Sequence, residues 1–171
     1  MITIRPATPD DAAVILGMLD RAVEWLVAGG RTGQWGTEPF SADPHRRTQA
    51  DGWIAGGGVH IAEIDAAPVG ALAVGSAPAY ATPVDEPELY INLLVTERAW
   101  QGSGVGARLL DHARDIARDR GVTLVRVDCY AGDDRKLVRY YERQGFTATD
   151  PFGVELPDGT WPGQTLEQRL S

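Results

Sequence analysis

The sequence predicts one α/β (α+β) domain spanning residues 1–171, and three observations carry that reading. Short β-branched or apolar segments alternate with helical stretches whose apolar residues recur on one face. Glycines stand where stretches end, at Gly29-Gly30, Gly56-Gly57-Gly58, Gly121 and Gly145. A chain of 171 residues, 43% hydrophobic and 23% charged, is also long enough to bury a real core without a disulfide or metal staple.

The elements follow in order. Thr3–Arg5 reads as a strand that Pro6 ends. Thr8-Pro9-Asp10-Asp11 is a helix start, with a capping hydroxyl, a first-turn proline and acids on the positive end of the helix dipole. Ile15, Met18, Leu19, Ala22 and Leu26 then recur at helical spacing. Arg31–Ser41 is irregular, and Ala42–Ala55 reads as a second short helix opening near Asp43-Pro44. Val59–Ile64 and Pro68–Val74 flank a tight Asp65-Ala66-Ala67 turn, the signal of a hairpin. After a loop at Ser76–Pro87 comes the strand Leu89–Val95. The loop Thr96–Ser103 leads into an amphipathic helix, Gly104–Arg120, with Val105, Leu109, Leu110, Ala113, Ile116 and Ala117 on one face. Thr123–Asp128 is a strand and Asp133–Gln144 a helix; Phe146–Thr149 and Gln164–Leu170 are closing strands, with a turn at Pro157-Asp158-Gly159.

Composition removes several function classes. Net charge is −8, which argues against a nucleic-acid binder and favours neutral or cationic partners. Cys129 is the only cysteine and the histidines, His45, His60 and His112, are scattered, so no internal disulfide and no metal site is expected. No apolar run approaches the ~18 residues of a membrane span, so no membrane partner is expected. The opening MITIRPATPDD lacks the basic-then-apolar pattern of an export signal, and the expectation is a cytoplasmic protein.

Gln101-Gly102-Ser103-Gly104-Val105-Gly106 lies between a strand and an amphipathic helix. Glycines admit positive φ and close backbone approach, and the first helical turn offers unpaired N–H groups to an anion such as a pyrophosphate. A glycine-rich turn without a ligand is the alternative. Gly102-x-Gly104-x-x-Ala107 also fits a variant of the dinucleotide fingerprint, with Asp128 as its ribose-binding acid. Against that reading, six residues separate the strand from the glycines and at least three strands precede them.

Two motifs resemble those of the GNAT superfamily of acyl-CoA-dependent N-acyltransferases. Gln101–Gly106 matches its Gln/Arg-x-x-Gly-x-Gly/Ala loop, and Tyr141-Glu142-Arg143-Gln144-Gly145-Phe146 matches its Tyr-Glu-x-x-Gly-Phe signature. Ile4-Arg5-Pro6-Ala7-Thr8 with Asp10-Asp11 resembles the family's opening, and the order of elements agrees. The resemblance implies a central mixed, mostly antiparallel sheet flanked by about four helices, acetyl-CoA as cosubstrate, and direct attack of a primary amine on the thioester. The acceptor would be a small-molecule or peptide amine, and a homodimer is common in the family. A CoA-binding sensor without turnover, or a Rossmann-type nucleotide or S-adenosylmethionine enzyme, are the alternatives.

Residue by residue, the resemblance puts the pyrophosphate on the backbone of Gly102, Ser103, Gly104, Val105 and Gly106, with Gln101 at the rim. The pantetheine arm would pair with Leu93, Leu94 and Val95, and a backbone N–H near Leu94 would stabilise the oxyanion. Tyr141 stands where the family keeps its general acid, donating to the departing thiolate. Asp134 replaces an Asn that many members use toward CoA, and it keeps the capacity to cap the last helix. The loop before the glycines is one residue longer than the commonest form.

For the base, Glu88, Asp85, Glu86, Glu63 and Asp128 are candidates. Glu88 is favoured because it opens the central strand thirteen residues before Gln101, the spacing of the catalytic Glu in histone-acetylating members. Asn92 shares a strand face with Glu88 and Tyr90 by alternation and is expected to orient the amine or a water. Cys129 reads as a buried structural thiol rather than a nucleophile. Of the aromatics Trp25, Trp35, Phe40, Trp53, Tyr80 and Trp161, the pair Trp35 and Phe40 in the irregular loop is taken as the acceptor wall.

Overall fold

The expected hairpin forms at the heart of the sheet. In the computed structural model, which describes residues 1–171, β2 (Val59–Ile64) and β3 (Ala67–Gly75) pair antiparallel across a two-residue turn. Asp65 and Ala66 both take positive φ there, 50° and 65°, which gives the turn the twist of its strands. β1 (Ile2–Pro6) pairs antiparallel with β2, and β4 (Glu88–Thr96) pairs antiparallel with β3. β5 (Leu124–Tyr130) joins β4 in parallel, and β7 (Gly159–Arg169) and β6 (Thr147–Leu156) complete the order β1-β2-β3-β4-β5-β7-β6. One parallel pair in the sheet excludes the dinucleotide alternative, which needs successive parallel βαβ units.

Helices cover both faces. α1 (Asp11–Ala28) and α2 (Pro44–Ala55) lie on one side, α3 (Val105–Asp119) and α4 (Lys136–Arg143) on the other. At the start of α1 the Thr8 hydroxyl does not cap the helix as expected but donates to Asp11 at 3.3 Å; the Asp11 carboxylate also accepts the Thr8 N–H at 2.7 Å and is gripped by the Arg5 guanidinium at 2.8 and 3.0 Å. The larger core lies under α3 and α4, with Leu72, Leu89, Ile91, Leu109, Val125, Val127 and Leu166 all buried. The smaller one packs Ile15, Met18 and Leu19 of α1 onto Ile61, Ala71, Ala73 and Val95. No helix is long and apolar enough to cross a membrane.

Two boundaries differ from expectation. The closing strands extend to Leu156 and begin at Gly159, forming a long hairpin about the Pro157-Asp158 turn. Pro151 does not end β6, because β6 is an edge strand and its register shifts between Ala148 and Pro151. The helix expected from Asp133 begins only at Lys136, since Asp133, Asp134 and Arg135 all take positive φ (53°, 60° and 63°). Aspartate tolerates that left-handed region better than most residues.

Candidate active site

The central strand is where the sheet opens. Glu88–Ile91 of β4 pair with Leu124–Val127 of β5, and there the pairing ends. On the other side of β4 the partners run Ala73↔Leu93 and then Val74↔Ile91, so Asn92 is an extra, bulged residue. The bulge reverses the alternation. Leu89 and Ile91 point into the core under α3 and α4, and beyond the bulge Leu94 joins that core, while Leu93 and Val95 pack toward α1. Leu93, Leu94 and Val95 thus face β5 with backbone groups that no strand of the sheet satisfies.

The glycine loop stands at the mouth of this opening. Gly102 and Gly104 take φ of 81° and 83°, and Gly104 is the residue from which α3 starts. Only glycine adopts these angles without strain. The N–H groups of Val105, Gly106 and Ala107 form the unpaired first turn of a fifteen-residue helix. Gln101, Gly102, Ser103 and Gly104 are exposed, whereas Val105 is buried and anchors the turn.

On the α4 side, Tyr141 is buried beside Cys129, edge-on to Tyr140 at 5.3 Å and to Phe146 at 5.8 Å. Burial raises its phenol well above the usual range, reinforced by the groups on Cys129, Tyr140 and Asp128. The Cys129 thiol is pushed up to about 12, first by burial and then by Asp128, so it is no nucleophile at neutral pH. Asp134 does not cap α4. Its carboxylate lies 3.4 Å from Arg139, its carbonyl accepts from the same guanidinium, and the left-handed turn carries it away from the helix end.

The opposite sheet face holds the acids. Glu88 is where expected, at the start of β4, but its carboxylate is held at 2.8 Å by Arg126, a buried guanidinium that also donates to the Thr82 carbonyl. Glu63 is paired with Arg5 and Glu86 with Arg169. Asp85 is exposed in the loop. Asp128 differs from all of these. It is the first β5 residue beyond the β4 pairing, it is half-buried, and it forms no ion pair. It accepts from the Tyr80 hydroxyl at 3.0 and 3.2 Å and from Tyr90 through a short hydrogen bond to Oδ2. Burial raises its carboxyl above the ordinary range, an effect the two tyrosine hydroxyls partly offset.

Asn92 donates its amide to the Ser76 carbonyl at 3.1 Å, so it fastens the Ser76–Pro87 loop, a contact that alternation alone could not foresee. Trp35 and Phe40 do meet, edge-on at 5.3 Å, but they pack onto the smaller core and Arg46 covers the Phe40 ring at 3.7 Å. A different aromatic series starts from Tyr80, which donates to the acid. Tyr80 stacks on Phe152 at 5.2 Å, and Phe152 meets Trp161, which packs on Tyr130. The Trp161 indole donates to the Gln34 carbonyl and so ties down the irregular loop. Phe152 lies over Gly163, where a Cβ would come within 2.3 Å of the ring. His60 and His112, far apart in sequence, also meet, with ring nitrogens 3.2 Å apart on the far side of the sheet under α3.

Known proteins share this fold. Residues 21–146 match the Acetyltransferase (GNAT) family. The uncharacterized N-acetyltransferase YesJ of Bacillus subtilis is 31% identical over 159 residues, covering 88% of this chain and 86% of that one. Among solved structures, a GCN5-related N-acetyltransferase from Rhodopseudomonas palustris superposes with TM-score 0.73 at 22% identity, over 98% of this chain and 95% of that one. YncA of Salmonella typhimurium, a putative acetyltransferase solved with its cofactor acetyl-CoA, does so with TM-score 0.71 at 22% identity, over 100% and 95%. With most of its length inside the family match and a relative above 30% identity spanning nearly all of it, this chain belongs to the GNAT acetyltransferase family and is an acyltransferase.

Proposed function

We propose that the protein transfers the acetyl group of acetyl-CoA to a primary amine by direct attack, with no acyl-enzyme intermediate. The observation that carries this is the opening between β4 and β5, whose mouth is the glycine turn and whose wall is Tyr141. A pyrophosphate fits the first-turn N–H groups of Val105 and Gly106 and the positive-φ backbone of Gly102–Gly104, with Gln101 and Ser103 at the rim. The pantetheine amides would complete the free side of Leu93, Leu94 and Val95 as an added strand. That leaves a backbone N–H near Leu94 to receive the oxyanion. Asp134, beside the last helix, is the remaining residue assigned to the CoA side.

Tyr141 is the general acid. Its buried phenol stays protonated across the physiological range, so it donates to the departing thiolate only as the surplus proton of the new amide nitrogen returns to it. The raised Cys129 thiol supports direct attack over a relay through the protein. Calorimetry with acetyl-CoA, followed by thiol release with a panel of primary amines, tests the reading. Binding with amine-dependent release of CoA supports it; binding without release for any amine would mark a sensor.

A further inference from the structure

Asp128 is the acid at the opening that forms no ion pair with an arginine. Arg126, Asp128 and Tyr130 share the sheet face that carries Tyr90, Phe152 and Trp161, opposite the face of Cys129 and Tyr141. Acid and phenol therefore flank the gap in β4–β5 from its two sides. Of the two Asp128 oxygens, Oδ2 takes the Tyr90 hydroxyl and the nearer contact of Tyr80, while Oδ1 receives only Tyr80 at 3.2 Å. Oδ1 thus keeps room for a donor arriving from the loop side. The Tyr80 ring that reaches it stacks on Phe152, and Phe152 in turn meets Trp161. Arg126, the cation nearest Asp128 on β5, is already engaged by Glu88 and the Thr82 carbonyl, so it is not free to meet a substrate carboxylate.

We propose that Asp128, not Glu88, takes the proton from the acceptor, and that the acceptor is a cationic amine without a carboxylate, seated against Tyr80, Phe152 and Trp161. This rests on the acetyl-transfer reading above. The ammonium R–NH3⁺ gives one proton to the Asp128 carboxylate and becomes R–NH2. Its lone pair forms the C–N bond at the thioester carbon, and the C–S bond breaks with its electron pair on sulfur. The thiolate takes the Tyr141 proton, the amide nitrogen returns its surplus proton to the Tyr141 oxygen, and Asp128 releases its proton to solvent. The sum is R–NH3⁺ plus acetyl-CoA giving the acetamide, CoA thiol and H⁺. The raised Asp128 carboxyl makes this base stronger than an ordinary aspartate.

The test compares benzylamine and agmatine with phenylalanine and glutamate as acceptors, by thiol release. The two cationic amines should show kcat/KM at least tenfold above the two amino acids. Asp128→Asn should lower kcat/KM at pH 7 by about a hundredfold or more and regain part of it above pH 9, where free amine is abundant. Its acetyl-CoA affinity by calorimetry should stay within about twofold, which also reports that it folds. Tyr80→Phe keeps the ring on Phe152 and removes one hydrogen bond that stabilises the carboxylate, so the acid limb of the kcat/KM profile should move to higher pH. Should Asp128→Asn fail to fold, that displaced limb decides. Turnover of these amines with Asp128→Asn unimpaired, or the pH-dependent loss appearing in Glu88→Gln instead, overturns the proposal alone. Absence of thiol release with every amine in the wild-type protein overturns the acetyl-transfer reading and the proposal with it.

Discussion

Gly106 sits against the Tyr140 hydroxyl so closely that a Cβ at position 106 would lie 2.5 Å from that oxygen. The first turn of α3 and the middle of α4 are thereby locked together. Tyr140 in turn meets Tyr141 edge-on, so the glycine turn and the proposed acid are two steps apart through packed atoms. Gly106→Ala should destabilise the fold by ~1–3 kcal/mol, as overpacking does, and lower turnover about tenfold or more as Tyr141 is displaced. The double variant Gly106→Ala/Tyr140→Phe removes the clashing oxygen, leaving the ring carbon 3.7 Å away, and should recover most of both losses. Thermal unfolding and steady-state kinetics on the three proteins check this.

Tyr141→Phe should reduce kcat by about 10²-fold or more while leaving acetyl-CoA affinity nearly unchanged. The ring keeps its place between Tyr140 and Phe146, so packing survives. Unaltered kcat at saturating acceptor, with chemistry rate-limiting, would reduce Tyr141 to a packing residue.

Gly104→Asp should weaken acetyl-CoA binding well over tenfold, measured by calorimetry. The substitution forces a side chain onto a φ of 83° and sets a carboxylate where a pyrophosphate would rest. The lost charge-assisted contact alone is worth ~1.5–3 kcal/mol. Affinity equal to wild type in a folded variant would remove the pyrophosphate from this turn.

Stability should fall in acid through Asp11. The Arg5 guanidinium, with the Thr8 N–H, holds the Asp11 carboxyl down to about 2 against an ordinary value of 3.8. A depressed carboxyl stabilises the fold above its unfolded pKa and loses that contribution as pH drops through the folded one. The contribution should therefore be full above about pH 5 and vanish between pH 4 and pH 2. Arg5 is 37% exposed, so solvent screening leaves roughly 1–2 kcal/mol. Asp11→Asn should flatten the pH dependence of urea unfolding across that window.

Periodicity and punctuation made the strand and helix order readable, because α1, α3 and α4 each bury one stripe and a glycine stands at or just past each helix end. The Gln101–Gly106 turn and Tyr141 were readable for the same local reason: their backbone and helix positions are set by nearby sequence. Asp128 was not. Its distinction from Glu88, Glu63 and Glu86 lies in which acids meet an arginine, and those partners come from other strands, such as Arg126 of β5 for Glu88. The reversal of Leu93–Val95 at the Asn92 bulge follows only from pairing with Ala73 and Val74. Tyr80, Phe152 and Trp161 come together through a closing hairpin longer than the expected strands Phe146–Thr149 and Gln164–Leu170, so their proximity was invisible along the chain.

The unpaired side of Leu93–Val95 makes the middle of this sheet behave like an outer rim. An empty enzyme carries, inside its own fold, a short strand edge able to recruit any extended segment. Occupancy by a cosubstrate would seal that seam, and because only the folded chain offers it, stability would rise with ligand concentration, by ~2.7 kcal/mol at a hundred times Kd. The protein's resistance to heat, to proteases and to self-association would then track the cell's supply of acyl-CoA. Slowed hydrogen exchange at Leu93, Leu94 and Val95, with little change in β1 and β2, would be the local signature of that seal.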